Sequence, residues 1–195
     1  MDVAMPISSV VPSLDGPVLV ALASTTAPTT LGEVHQRAGR GSKSGIREVL
    51  LRMVDDGLVL DVPGGYVLNR EHLATPAVAA LSDLYGELAR RIRSVIGEWG
   101  GDVSLVGLFG SAARRDGDRS SDIDLLVVSD AEDLDDLIER LGTQIHMWTG
   151  NRAQVVGLRS EDMIRLRRAN EPILAHWETE LVVICGDRRA LRLTV

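Results

Sequence analysis

One stretch of the chain, LFGSAARRDGDRSSDIDLLVV at Leu108–Val128, decides the fold and contains a contradiction. Its last residues form an apolar run that is typical of a buried β-strand. Yet Asp122 and Asp124 stand at the start of that run, and residues two apart in a strand point to the same side. Two carboxylates therefore share one side of an apolar strand, where unpaired charge is costly. Such a pair calls for a cation.

A Gly-Ser pair precedes the two aspartates. Gly110 follows the apolar run VSLVGLF and lets the backbone turn sharply where a Cβ would obstruct it. Ser111 starts a short predicted helix, whose first amide groups and positive dipole end favour an anion. Asp122 and Asp124 offer the oxygen ligands that Mg²⁺ or Mn²⁺ prefers. A phosphate-binding turn beside paired carboxylates predicts a site for a metal–nucleotide complex.

This pattern resembles a known signature, that of the DNA polymerase β-type nucleotidyltransferase superfamily and above all its minimal prokaryotic members. The signature is a Gly-Ser pair, ten intervening residues and Asp-x-Asp in an apolar strand. Four residues match it position by position: Gly110, Ser111, Asp122 and Asp124. Ser121 also fits, and the resemblance spans about residues 80–187. The intervening Arg114 is a candidate for phosphate contact, although an ordinary surface arginine fits equally well.

The resemblance implies a mechanism. The two aspartates would bind Mg²⁺ (or Mn²⁺), and the Gly-Ser turn would hold the β- and γ-phosphates of an NTP. An acceptor hydroxyl would then attack the α-phosphate in line, and pyrophosphate would leave. Such chemistry consists mostly of positioning and charge neutralisation.

The chain departs from the family at one position. Active members usually supply a third carboxylate from a later strand, which helps to bind the metal and can deprotonate the acceptor. Here the predicted strand RAQVVGL has Gln154 at that position. An amide can ligate a metal weakly, but it cannot act as a base. Asp162 and Glu161 on the next predicted helix, and His146 on the preceding predicted strand, are the alternative bases.

Patterning divides the chain into four segments of an α/β (α+β) protein. They are a loose N-terminus at 1–12, a winged helix-turn-helix domain at 13–74, a connecting helix at 75–100 and a small mixed-sheet nucleotidyltransferase domain at 101–195. Within the last segment we expect TQIHMWT to be a strand, and SEDMIRLRRA to be a helix capped by Ser160.

The segment 13–74 predicts three short helices followed by a hairpin. Thr29 or Thr30 can cap the second helix, with Glu33 placed for a capping box, and Ser42 can cap the third helix. Pro63-Gly64-Gly65 between two apolar runs is a hairpin signal. This order of elements is that of a winged helix-turn-helix.

The sequence around the third helix is basic, which predicts contact with DNA. The residues expected to make that contact are Arg40, Lys43 and Arg47. The alternatives are a solvated helix face, or a winged helix that serves only for protein contact or dimerisation.

Composition narrows the classes of function. A net charge of −7 argues against non-specific coating of DNA or membranes, and 3% aromatic residues argue against stacking platforms for single strands. The one cysteine, Cys185, excludes an internal disulfide and a cysteine-based zinc site. No segment approaches the roughly 18 to 20 apolar residues of a membrane span. We therefore expect a cytoplasmic protein that does not bind a membrane.

Two functions compete on this basis. The first is a metal-dependent nucleotidyltransferase that moves a nucleoside monophosphate from an NTP to a protein or small-molecule hydroxyl. It would be antitoxin-like if the acceptor is a cognate toxin, as in many minimal members. The alternative is a winged-helix transcriptional regulator whose degenerate transferase domain senses nucleotide or forms a homodimer. The intact Gly-Ser and Asp-x-Asp favour the first, and Gln154 favours the second. A third reading, a tRNA-modifying toxin-type member, is disfavoured by the acidic net charge.

Overall fold

The structure is a computed structural model, and it describes residues 1–192. The chain divides into two compact units: an N-terminal unit of Met5–Tyr85, and a C-terminal unit of Met1–Ala4 with Gly86–Val195. Each unit combines helices with a β-sheet, which confirms the predicted α/β class. No helix among residues 1–192 has the length and hydrophobicity needed to cross a bilayer.

The N-terminal unit packs helices around a two-stranded hairpin. Its elements are a 3₁₀ helix at Pro6–Ser9, α1 at Asp15–Ala23, α2 at Leu31–Ala38, α3 at Lys43–Asp55, β1 at Val59–Val62, β2 at Gly65–Leu68 and α4 at Thr75–Ser82. The two strands pair antiparallel, with Val59 opposite Leu68. Buried Ile46 and Leu50 of α3 and Leu22 of α1 lie in its core.

Of the two caps predicted for α2 the structure has Thr30, and the predicted cap of α3, Ser42, is confirmed. The Thr30 hydroxyl accepts from the backbone N–H of Glu33 at 3.3 Å, and the Glu33 carboxylate accepts from the backbone N–H of Thr30 at 2.7 Å. This is a capping box, which satisfies two amide groups that the first turn leaves without partners. The Ser42 hydroxyl accepts from the backbone N–H of Gly45 at 3.1 Å.

The C-terminal unit contains a four-stranded mixed sheet in the order β5-β4-β3-β6. Its elements are α5 at Leu84–Trp99, β3 at Leu105–Phe109, α6 at Gly110–Arg114, β4 at Ile123–Val128, α7 at Leu134–Thr149, β5 at Ala153–Leu158, α8 at Ser160–Arg168, α9 at Pro172–Glu180, β6 at Val182–Gly186 and a 3₁₀ helix at Arg188–Arg192. Strand β3 is antiparallel to β4 and β6, whereas β4 and β5 are parallel.

The central strand β4 carries both apolar and acidic side chains on one face. Leu126 of β4 packs with Met163 of α8 and Trp177 of α9 in a buried cluster. Because side chains alternate along a strand, Asp122 and Asp124 lie on the same side as Leu126. The two carboxylates therefore lie at the start of β4, on the sheet face that packs against α8 and α9.

The strand predicted for TQIHMWT is wrong. That stretch is the C-terminal part of α7, which runs to Thr149 and ends at Gly150 with a φ of 73°. Buried side chains keep helical spacing along the whole element: Leu134, Leu137, Leu141 and Ile145. Gly142 lies inside the helix without interrupting it. One glycine there costs only about 1 kcal/mol of helix stability, and the packing of the buried face outweighs that cost.

The single helix predicted for residues 75–100 is also wrong. Two helices, α4 and α5, meet at Asp83, whose φ of −119° and ψ of 45° are not helical. Residues 1–12 were expected to be loose, yet Val3 and Ile7 are 0% and 1% exposed. Apolar side chains in this Pro- and Ser-containing segment find room in the core, which local composition does not indicate.

Ser160 does not cap α8 as predicted. The cap residue is Arg159, and the Asp162 carboxylate accepts from its backbone N–H at 3.0 Å. Ser160 is instead the first residue of the helix, and both its backbone N–H and its hydroxyl donate to Asp130, at 2.7 and 2.5 Å. The Ser160 hydroxyl therefore bonds to a residue thirty positions away in sequence instead of capping the helix.

Candidate active site

The Gly-Ser turn and the Asp-x-Asp pair meet at one end of the mixed sheet. Because β3 and β4 run antiparallel, the end of β3 lies beside the start of β4, and Phe109 is opposite Asp124. Gly110 follows with a φ of 64°, which favours glycine. A Cβ on Gly110 would lie 2.3 Å from Asp124 Oδ2. The carboxylate of Asp124 thus rests against the backbone of the turn.

Ser111 is half-buried at the second position of α6. The loop before β4 passes close to it, since a Cβ on Gly117 would lie 3.0 Å from Ser111 Oγ. Within residues 1–192 the Ser111 hydroxyl has no hydrogen-bond partner. With only five residues, α6 has a weak dipole, so the amide groups of the turn and this hydroxyl are the donors available to an anion.

Asp122 and Asp124 have no protein partner in the part of the chain that the structure describes, neither a hydrogen bond nor an ion pair. Burial raises the pKa of Asp124 by disfavouring its charged form, and the nearby charge of Asp122 raises it further; Arg114 opposes both. Two half-buried carboxylates that repel one another, with no donors supplied by the protein, fit a hard divalent cation.

Gln154 lies where the family resemblance implies a third carboxylate. Strands β4 and β5 are parallel, with Asp124 opposite Gln154, so both side chains project from the same face of the sheet. Gln154 is exposed. Across residues 1–192 no group of three His, Cys, Asp or Glu side chains is arranged to hold a metal ion. The oxygen-bearing side chains that the strands bring to this end of the sheet are therefore two carboxylates and one amide.

The alternative bases lie on α7 and α8 rather than on the strands that carry the aspartates and Gln154. Asp162 follows the far end of β5, about 13 Å along the strand from Gln154 at 3.3 Å per residue, and it pairs with Arg165 at 2.5 Å. Glu161 precedes it on the same turn of α8. His146 lies on α7 rather than on a strand, and its Nδ1 is 3.0 Å from the backbone oxygen of Asn151.

Arg114 is close to the site but is already paired. Its Nε lies 2.9 Å from Asp116 Oδ2, and its Nη1 lies 2.8 Å from Glu180 Oε2. The side chain is 45% exposed, so water competes with both partners. Arg114 can contact a phosphate only by exchanging one of these carboxylates for it.

An aromatic pair lies beside the aspartates. The ring of Phe109, opposite Asp124, meets Trp177 of α9 edge to face, with centroids 5.8 Å apart. Trp177 is buried, and such edge-to-face pairs add about 1 kcal/mol to the packing of their surroundings. The strand end that carries the turn is thus fixed by packing on α9.

The residues predicted to contact DNA lie in the N-terminal unit and differ in availability. Lys43 and Arg47 are exposed one turn apart on α3, and within the described residues neither has a hydrogen bond or an ion pair. Arg40 is held by its own unit, because its guanidinium donates to Ser8 Oγ at 2.9 Å and to the Pro12 carbonyl at 3.3 Å.

One residue at the site has no counterpart in the sequence predictions. Asn151 is 3% exposed in the connection between α7 and β5. Its Nδ2 donates to the carbonyl of Ser121, the residue before Asp122, at 2.9 Å. Asparagine is common in loops that follow a helix-ending glycine, so the sequence does not single out Asn151. Its role becomes visible only through its long-range hydrogen bond.

Comparison with protein families identifies the segment that holds this site. Residues 95–188, just under half of the chain, match the model of the family described as polymerase beta, nucleotidyltransferase. Among curated proteins, none matches the chain.

Solved structures of toxin–antitoxin complexes are distantly similar. One with AMP-PNP is 18% identical with a TM-score of 0.41, and the match covers 53% of this chain and 77% of that chain. A tri-AMPylated Shewanella oneidensis HEPN toxin in complex with MNT antitoxin is 16% identical with a TM-score of 0.37, and the match covers 53% of this chain and 74% of that chain. The toxin–antitoxin MntA–HepT is 16% identical with a TM-score of 0.38, and the match covers 55% of this chain and 77% of that chain. These similarities are too distant to assign an activity. By the family match alone, the segment that carries the Gly-Ser turn and both aspartates is similar to the nucleotidyltransferases of the polymerase beta family.

Proposed function

We propose that the C-terminal unit is a metal-dependent nucleotidyltransferase that moves a nucleoside monophosphate from an NTP to a hydroxyl group of a protein or a small molecule. One observation carries the proposal. Asp122 and Asp124 are half-buried, have no partner within residues 1–192 and lie beside the Gly-Ser turn. Buried charge without a partner destabilises a fold, so a ligand is the reason to keep it there.

Each residue has a distinct role in this proposal. The backbone N–H groups of Gly110 and Ser111, together with the Ser111 hydroxyl, donate to the β- and γ-phosphates of the NTP. The missing Cβ of Gly110 lets a phosphate approach the backbone closely. Asp122 and Asp124 hold Mg²⁺ or Mn²⁺, which when bound neutralises phosphate charge and polarises the phosphoryl group that is attacked.

Gln154 limits what the chain can do alone. Its amide oxygen is a weak neutral ligand, and the group cannot accept the proton of the attacking hydroxyl. That proton must leave to water or to a base on the acceptor. We therefore expect the isolated chain to bind metal and NTP well and to transfer the nucleotide slowly.

The acceptor in this proposal is a hydroxyl on a partner. A cognate toxin is the first protein to test, because the sequence resembles minimal family members that often adenylylate a toxin. A partner of that kind would also be in a position to contribute the missing base. The net charge of −7 disfavours tRNA as the acceptor.

Isothermal titration of ATP, GTP, CTP and UTP in Mg²⁺ or Mn²⁺ tests the proposal. At least one NTP should bind, and only with metal present. The Asp122→Asn/Asp124→Asn variant should bind at least about 100-fold more weakly, because losing even an outer partner of a metal site costs about 10- to 100-fold.

Asp130→Asn is the matched control for this titration. It makes the same chemical change just beyond the other end of β4, where Asp130 accepts from Ser160. It should bind NTP like the wild type. Equal affinity in the wild type and the double variant, or no binding of any NTP, would show that the transferase proposal is wrong.

We further propose that the N-terminal unit binds double-stranded DNA as a winged helix-turn-helix, with α3 as its contacting helix. What supports this is the order of three helices and a hairpin, and the exposed, unpaired Lys43 and Arg47 on one side of α3. A protein with both activities would be a regulator of its own promoter in the manner of an antitoxin.

Anisotropy of a mixed-sequence duplex over a salt series tests the second proposal. Lys43→Ala/Arg47→Ala should lower the slope of log K against log salt by about 2, because each phosphate contact contributes about 0.9. Arg52→Ala is the control, since Arg52 lies on the same helix but is paired with Asp15. An unchanged slope in the double variant would remove α3 as the DNA contact.

A further inference from the structure

Asn151 is a buried side chain to which the proposed transferase mechanism assigns no role. It is 3% exposed, and its Nδ2 lies within hydrogen-bond distance of three backbone carbonyls. The carbonyls are those of Ser121 at 2.9 Å, Met1 at 3.0 Å and Arg119 at 3.4 Å. An amide nitrogen has two hydrogens. The two short contacts are therefore the main bonds, and the Arg119 carbonyl shares one of them.

These bonds fix the peptide that leads into the Asp-x-Asp pair. The Ser121 carbonyl belongs to the planar Ser121–Asp122 peptide, so holding its oxygen also sets the direction in which Asp122 leaves the backbone. One residue later, the Ile123 N–H donates to the Arg152 carbonyl at 2.9 Å. Asp122 is thus flanked by two ties to the same short segment, residues 151–152.

The opposite side of the same loop is held by residues 1–4. The Ala4 N–H donates to the Gly117 carbonyl at 3.0 Å, and the Val3 N–H donates to the Asp118 carbonyl at 3.3 Å. Val3 is fully buried. Asn151 binds the Met1 carbonyl as well as the Ser121 carbonyl, so one amide joins this segment to the loop that it covers.

We propose that Asn151 is a positioning residue for the cation site, which holds the Ser121–Asp122 peptide so that the Asp122 carboxylate stands beside that of Asp124. This inference rests on the proposed function. The need for such a tie is physical, because two like charges repel and, on a loose backbone, would separate. A cation held by only two carboxylates depends strongly on the fixed spacing of those carboxylates.

A direct test is the Mn²⁺ affinity of Asn151→Ala and Asn151→Asp. The second variant keeps the shape of the side chain but turns a carboxylate oxygen toward the carbonyls that the amide nitrogen served. Affinity is measured by electron paramagnetic resonance of unbound Mn²⁺, well below the unfolding temperature of each variant. Both variants should bind Mn²⁺ about 10-fold more weakly than the wild type, as expected for a partner that orients a ligand.

Asn69→Asp is the matched control. Asn69 Nδ2 also donates to a backbone carbonyl, that of Gly57, at 2.8 Å, but it does so in the N-terminal unit. This variant should lose stability and keep the wild-type Mn²⁺ affinity. A purely structural role for Asn151 would give the same pattern as this control, and that result would overturn the positioning role.

Hydrogen exchange in EDTA adds a readout that does not depend on metal. Peptides that span residues 115–124 should exchange faster in Asn151→Ala, or in the milder Asn151→Ser should the first variant not fold. Unchanged exchange there would overturn the positioning role. Equal Mn²⁺ affinity in the wild type and in folded Asn151 variants would overturn it while leaving the proposed function in place. A wild type that binds no Mn²⁺ would overturn both.

Discussion

The two ends of strand β4 carry the same residue type in opposite electrostatic settings. Just past the end of the strand, Asp130 accepts from the backbone N–H and the hydroxyl of Ser160, and these bonds lower its pKa. At the start, Asp124 receives no hydrogen bond within residues 1–192, and burial and the charge of Asp122 raise its pKa. One carboxylate is supplied with donors by the fold, and the other is not.

This difference separates a structural carboxylate from one that is kept for a ligand. Asp130 also lies near the N-terminus of α8, where negative charge is favourable. Asp124 accepts no such hydrogen bonds. It lies beside another carboxylate and the backbone of a glycine turn, and the charge of Arg114 offsets the repulsion only in part. Local destabilisation that the fold does not relieve is typical of functional sites.

Gly110→Ala should have the largest effect of the single substitutions, because it places a methyl group between the turn and the carboxylate. The new Cβ would lie 2.3 Å from Asp124 Oδ2, so we expect metal-dependent NTP binding to weaken at least about 100-fold, as for direct loss of ligand geometry. Titration calorimetry with Mn²⁺ and the NTP measures it.

Gly100→Ala is the control for that substitution. Gly100 also has a positive φ, of 74°, but a Cβ there has no atom within 4 Å. Both variants should lose about 1 to 2 kcal/mol from backbone strain, and only Gly110→Ala should lose NTP. If both bind NTP normally, the turn is not part of the site.

Gln154→Glu should increase the electrostatic difference between the start and the end of β4. A third carboxylate opposite Asp124 adds charge that only a cation can offset. We expect Mn²⁺ affinity to rise about 10-fold, and nucleotide transfer to an acceptor to become faster, because a base is now present. Gln154→Ala should show neither gain. No change in Mn²⁺ affinity in Gln154→Glu would mean that position 154 does not face the cation.

Asp130→Asn should change stability without changing metal binding. The pKa of Asp130 is lower in the folded chain than its ordinary value of 3.8. Its ionised form therefore contributes stability above that value, and the contribution is lost as the pH falls through the folded pKa. Since the group is largely exposed, we expect urea unfolding at pH 7 to show a loss of only about 0.5 to 1 kcal/mol. The difference between the two proteins should therefore shrink as the pH falls below 3.8, and a difference that does not change with pH would point to another cause.

Asp124→Asn should have the smallest effect on stability, and with the opposite sign. In EDTA at pH 7 it removes one of two repelling charges, so the free energy of unfolding should rise by a few tenths of a kcal/mol to about 1 kcal/mol. The same urea measurement detects it. A loss of stability in this variant would mean that Asp124 has a structural partner, and the contrast between the two strand ends would disappear.

The sequence was sufficient where structure depends on near neighbours. The capping box of Thr30 and Glu33 involves residues three apart, and the hairpin around Pro63–Gly65 involves the adjoining strands. The Gly-Ser turn and the aspartates followed from the strand pattern and the family signature together. The register that sets Gln154 opposite Asp124 agrees with the strand assigned to RAQVVGL.

The sequence was insufficient where long-range packing determines the local structure. The stretch TQIHMWT is short and ambiguous by itself, and its helical state follows from the buried face it shares with the rest of α7. Val3 is buried, and its backbone N–H bonds to the carbonyl of Asp118, which is distant in sequence. Asn151 was missed for the same reason, since its bond to the Ser121 carbonyl joins residues thirty positions apart.

The most direct test of the contrast is anomalous diffraction from crystals grown with Mn²⁺ and a non-hydrolysable NTP analogue. A manganese peak should lie between the Asp122 and Asp124 carboxylates, at about 2.0 to 2.2 Å from their oxygens, with the triphosphate against the Gly110–Ser111 turn. No peak should lie at Asp130, which keeps its bonds to Ser160. Manganese and nucleotide bound elsewhere, with Asp122 and Asp124 still without a ligand, would contradict the account.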